Sequence, residues 1–130
     1  MSNLARIPPR QKERSLRGTP AEKRYYSWLH RECVCCLTLQ PEFDIAHTGT
    51  LLDGKGMGRK AALWTCLPLT RKLHIAEERG RARFWENVGH NPTVWAARLY
   101  DIFEAQGDPK PLLWDMHETA NLQYISELLS

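Results

Sequence analysis

Residues 42–79 constrain the fold more tightly than any other stretch. Residues 42–47 alternate in the manner of a short strand. Gly49, Gly54, Gly56 and Gly58 then crowd a basic loop, and residues 63–67 read as the return strand. Thr70 offers a cap for a helix reaching about Arg79. In this run His47 closes the first strand, while His74 and Glu78, four positions apart, fall on one face of the helix. A histidine at a strand end beside a helical histidine–carboxylate pair suits a site that holds one divalent ion next to one base. Cutting a phosphodiester needs that equipment: a metal to stabilise charge on the phosphate and leaving oxygen, and a neutral imidazole to take a proton from water.

The chain has 130 residues, enough for one domain with a modest core. Hydrophobic side chains make up 42% and charged ones 25%, an ordinary globular balance. No apolar run approaches the ~20 residues a bilayer demands, so a membrane protein is not expected. The first residues lack the apolar core of a secretory signal, which points to the cytoplasm. There the four cysteines serve metal binding or burial rather than disulfides.

The net charge of +3 is unevenly spread. Arg6, Arg10, Lys12, Arg14, Arg17, Lys23 and Arg24 face only Glu13 and Glu22 near the N-terminus. From Asp101 onward six acids oppose Lys110 alone. Residues 1–18 therefore read as a basic flexible arm able to neutralise phosphates, or simply as a solvated terminus. Lys55, Arg59, Lys60, Arg71 and Lys72 surround the candidate site in sequence and are the expected DNA contacts. For the loop lysines and arginine, a solvated flexible segment is the plain alternative.

Around this centre the pattern is helical. Thr19, Pro20 and Glu22 form a capping-box start for a helix through Leu29, with Tyr25, Trp28 and Leu29 on its apolar face. Gly80 interrupts the second helix, and a further stretch through Phe84, Trp85 and Val88 stops at Gly89. Asn91 and Pro92 start another, with Val94, Trp95, Leu99, Ile102 and Phe103 as its stripe and Gly107 as its end. Pro109 and Pro111 separate this from a last helix at about residues 118–129. Its face of Leu122, Ile125, Leu128 and Leu129 packs on the domain or on a second copy of the chain. One phosphate motif is rejected: Gly49, Gly54 and Lys55 fit the first seven positions of a P-loop, but Gly56 stands where Ser or Thr must hold Mg²⁺.

The order Cys33-x-x-Cys36, Ala46-His47, Gly56-x-Gly58-x-Lys60, Pro68-Leu69, His74, Gly80 and Phe84-Trp85 resembles the HNH-type nucleases of phages and prophages related to YbcO and Ref. The resemblance covers about half the chain and implies a ββα-metal unit on a treble-clef-like scaffold. It implies His47 as general base, His74 and Glu78 as ligands of Mg²⁺ or Mn²⁺, and DNA products with 5′-phosphate and 3′-hydroxyl ends. It also raises a structural Zn²⁺ at Cys33, Cys36 and Cys66, with Cys35 or His30 as further donors. Relatives commonly show Pro-Leu-Cys-x-x-Cys-His, however, and Thr70 and Leu73 stand where those cysteines would be. Leu63 likewise occupies a position that is often acidic in the family. The cysteines then read equally as small buried side chains.

The expected molecule is a helix-rich α+β domain with a short β-hairpin and a central ββα-metal unit. The arm is residues 1–18, the nuclease-like domain 19–107, and an acidic and apolar helical extension 108–130. Its expected activity is metal-dependent DNA endonuclease chemistry in phage recombination or replication, with a recombinase such as RecA as a possible partner and a monomer or weak homodimer as the assembly. Two rivals stand beside it: an eroded module that binds DNA or a recombination protein without cutting, and an interaction protein that dimerises through residues 108–130.

Overall fold

Thr19 does what its sequence context predicts. Its hydroxyl accepts the Glu22 N–H at 3.2 Å, while the Glu22 carboxylate accepts the Thr19 N–H at 3.2 Å. This capping box, with Pro20 in the first turn, starts α1 (Pro20–Glu32). The structure, a computed structural model, describes residues 19–48 and 63–130. Residues 1–18, read as the basic arm, lie outside it, as do Lys55, Arg59 and Lys60. Helix α1 runs a turn beyond Leu29, and Cys33 ends it by turning extended while its N–H still reaches Leu29.

Strand β1 (Asp44–His47) pairs antiparallel with β2 (Cys66–Leu69), setting Asp44 opposite Leu69 and His47 opposite Cys66. The return strand thus lies further along than residues 63–67, and Leu63–Thr65 form a 3-10 turn instead. The reason is visible in the residues. Strand β2 is buried throughout, so its sequence carries no polar alternation to fix where pairing starts. Pro68 survives inside it because the proline carbonyl is used from the other side, accepting the Cys36 N–H at 3.0 Å.

Helix α2 (Arg71–Arg79) follows β2 directly, then α3 (Arg81–Val88), α4 (Pro92–Glu104), α5 (Lys110–Thr119) and α6 (Leu122–Leu129). Thr70 holds the N-cap position of α2 as expected, yet its side chain makes no capping hydrogen bond. Gly89, at φ 90°, closes α3 in the left-handed region that a glycine adopts cheaply. The Asn91 carboxamide caps α4 by accepting the Thr93 N–H at 3.0 Å. On α4 Leu99 is buried and Trp95, Ile102 and Phe103 pack partly buried against the core as the stripe predicts, Ala96 joins them, and Val94 is 48% exposed.

The C-terminal segment differs most from expectation: two helices replace one. Pro111, taken as a separator, sits in the first turn of α5, where its missing N–H costs nothing. The break falls instead at Asn121. Its carboxamide caps α6 by accepting the Tyr124 N–H at 3.2 Å, and its own N–H donates to Val88 at the end of α3. Helix α6 packs on α2 and α3. Leu112, Leu113, Met116 and Ile125 share one core with Tyr25, Leu29, Leu69, Leu73, Phe84 and Val88. Residues 108–130 therefore pack within their own chain. The result is a helix-rich domain with a two-stranded antiparallel sheet, an α+β architecture, in which hairpin and helix meet at residues 44–79. Among the described residues, no helix is long and apolar enough to cross a membrane.

Candidate active site

Asp44 and His47 sit three positions apart on one extended strand, so their side chains leave it on opposite faces. Each meets a different helix. Asp44 faces α2, where the Arg71 guanidinium donates to its two oxygens at 2.7 and 3.2 Å and His74 Nδ1 lies 3.0 Å from Oδ2. His47 faces α1, where its Nε2 lies 3.1 Å from the Tyr26 hydroxyl.

The antiparallel register explains the first cluster. Asp44 pairs with Leu69, and two residues later the chain enters α2, which puts Arg71 and His74 within reach of the carboxylate. Burial raises the Asp44 carboxyl, but the hydrogen bonds and charges of Arg71 and His74 outweigh it and hold the group below the usual carboxylate range. With the folded pKa below the unfolded value, this contribution is fully present above about pH 4 and is lost as pH falls through the folded pKa. Wild type should melt above Asp44→Asn at pH 7, and the two should converge as pH falls through the lowered folded pKa. Thermal melts across an acid series test this, and an unchanged difference would remove Asp44 from the acid response.

Beyond Asp44, His74 reaches a second carboxylate, since its Nε2 lies 3.4 Å from Glu78 Oε2. An ionised carboxylate only accepts, so Asp44 fixes the proton on Nδ1. In the neutral ring Nε2 then carries a lone pair, and it faces another acceptor in Glu78. The contact is an ion pair when the ring carries both protons, and the same two atoms are spaced to share one cation when it does not. Carboxylate–histidine support of this kind is how proteins orient an imidazole toward a metal, while Glu78, exposed to water, adds a hard oxygen ligand suited to Mg²⁺ or Mn²⁺. The structure thus brings His74 and Glu78 together and adds Asp44, which sequence reasoning missed, whereas the expected base His47 leaves β1 on the opposite face and meets Tyr26 instead. The available signal was an acid at the strand position opposite the residues leading into α2.

Tyr26 was missed as well, having read only as part of a helix. Burial, then the charges of Cys66 and Glu22, push its hydroxyl above the ordinary range and keep it protonated. It also contacts the Cys66 thiol, itself pushed up to about 12 chiefly by burial. Tyr26 therefore ties His47 of β1 to Cys66 of β2 and holds the imidazole at Nε2.

The remaining expected site residues are placed as follows. Arg71 pairs with Asp44, and the Lys72 ammonium donates to the Leu129 carbonyl at 3.3 Å, both contacts lying at the exposed surface. Cys33, Cys36 and Cys66 are all buried, and burial raises each thiol, Cys33 to about 12 and Cys36 well above its ordinary value. Among the described residues, no three His, Cys, Asp or Glu side chains form a group able to hold a metal ion. Cys33, Cys36 and Cys66 lie in the hydrophobic core, and Asp44, His74 and Glu78 do not form such a group either. His90 and His117, which had no assigned role, bond the carbonyls of Met116 and Leu37. No protein-family model, curated protein or solved structure matches this chain.

Proposed function

We propose that the protein is a metal-dependent DNA endonuclease of the HNH type. The observation that carries this reading is the close approach of His74 Nε2 and Glu78 Oε2, 3.4 Å apart, with Asp44 against Nδ1 on the far side of the ring. These sit on the helix that directly follows a β-hairpin, and the hairpin's first strand ends in His47. His74 and Glu78 would hold one Mg²⁺ or Mn²⁺, with water completing the coordination sphere and the scissile phosphate displacing part of it. The ion would stabilise charge on the phosphate and leaving oxygen. The resemblance assigns the base role to His47, which Tyr26 holds at Nε2 on the face of β1 opposite Asp44, so this role rests on the resemblance and not on a gathered site.

A second reading has its own support. Arg71 binds Asp44 in a two-point ion pair and stands three positions before His74, so a cation is already next to the cluster. In that case the scaffold binds DNA, or a recombination protein, without cutting. Supercoiled plasmid separates the two readings. Wild type should nick it with Mn²⁺ or Mg²⁺, leaving 5′-phosphate and 3′-hydroxyl ends, and should lose nicking with EDTA or on His74→Ala. DNA binding with no metal-dependent nicking would leave the binding module as the function.

A further inference from the structure

We infer that Arg71 is a releasable counter-ion of the proposed metal site, a role that rests on the function proposed above. Closed on Asp44, it holds down the affinity for a divalent cation; a phosphodiester of the substrate draws it off, so that substrate and cation each bind more tightly in the other's presence. Asp44 serves two groups at once. Its Oδ2 accepts from Arg71 Nε at 2.7 Å and lies 3.0 Å from His74 Nδ1, while its Oδ1 accepts from Arg71 Nη2 at 3.2 Å. Because one oxygen meets both, the guanidinium and the imidazole are near neighbours, and Glu78 stands at the other edge of the same ring. A fixed positive charge this close opposes the entry of a second one.

The contact is one that can open. The Arg71 side chain is 77% exposed, and ion pairs at such positions contribute little to stability. Arg71 also lies in the first turn of α2, where the helix dipole disfavours a cation and no acid of that turn offsets it. Asp44 supplies the missing negative charge from the neighbouring strand. Lys72, the next cation, is turned instead to the Leu129 carbonyl on α6. The guanidinium fork that fits a carboxylate fits a phosphate as well. A phosphodiester brought to His74 and Glu78 arrives beside that fork and competes for it. Once Arg71 has moved to the phosphate, the full charge of Asp44 acts on the His74 ring and favours a cation at Nε2. By linkage, whatever the substrate adds to cation binding, the cation adds to substrate binding.

The test follows free Mn²⁺ against paramagnetic broadening of the His74 ring signals in the full chain, which reports an ion at this ring. Without DNA, Arg71→Ala should bind Mn²⁺ about 3–10-fold more tightly than wild type, the size of one charge repulsion at a solvated surface. Arg71→Gln should behave alike, and Arg71→Lys, which keeps the charge, should stay near wild type. A short DNA duplex should tighten Mn²⁺ binding to wild type by about 5–150-fold, the usual range of coupling between sites, and should add several-fold less to Arg71→Ala. If Arg71 only orients Asp44, its removal loosens His74 and Mn²⁺ binds more weakly. Weaker or unchanged binding to folded Arg71→Ala therefore overturns the counter-ion role, as does equal tightening by DNA in both proteins. Plasmid nicking by wild type alongside weaker Mn²⁺ binding to the variant removes the role and leaves the reaction. Tighter binding to the variant without nicking by wild type removes the reaction and leaves the role, and no broadening at His74 in any of the proteins removes both.

Discussion

His47→Ala is expected to slow metal-dependent nicking by about 10²–10⁴-fold, the usual loss when a general base is removed. DNA affinity should stay close to that of wild type, because a general base acts on the attacking water rather than on phosphate contacts. The fold should also persist: the variant removes one hydrogen bond to Tyr26, worth about 1 kcal/mol, or roughly 4 °C in melting temperature. Rate and stability therefore separate cleanly. Nicking within a few-fold of wild type would reassign His47 to a purely structural contact with α1, and the search for a base would move elsewhere.

Much of this region was legible before any coordinates. Strand, helix starts and the His74–Glu78 pair follow from alternation, caps and the four-residue spacing, all of which are local. What stayed hidden is what only register or tertiary approach decides. Asp44 becomes a partner of His74 through a pairing that starts at Leu69, and the fully buried β2 offered no polar punctuation to show it. Tyr26 meets His47 across 21 residues, a contact no local pattern encodes. Proline misled at the C-terminus because the same residue that interrupts a helix also starts one. Pro111 does the latter, and Asn121 makes the break.

Glu77 is the other residue on which much depends, and its sequence context gives little sign of it. It is fully buried, next to exposed Glu78 on α2. Its carboxylate accepts from Arg81 at 2.7 and 3.3 Å and from the Trp85 indole N–H at 3.0 Å, joining α2 to α3 across the break at Gly80. Because Gly80 separates the two helices, the four-residue step from Glu77 to Arg81 does not read as a pair within one helix. Removing one partner of a buried ion pair typically costs about 3–5 kcal/mol. The Arg81 side chain is partly exposed and can turn toward water, so Glu77→Ala should fall near about 3 kcal/mol, or roughly 10–15 °C in melting temperature. Glu77→Gln keeps an acceptor for the indole and should lose less. A melting temperature within about 2 °C of wild type for Glu77→Ala would show that the bridge contributes little.

Strand β1 is four residues long and sends its two polar ends to opposite walls of the protein. Side chains on such a ribbon change sides with every step, so sliding it by a single position would turn both Asp44 and His47 away from their helices together. A one-position shift of the whole strand would therefore undo the Asp44 contacts with α2 and the His47 contact with α1 together, although the two lie on different walls of the domain.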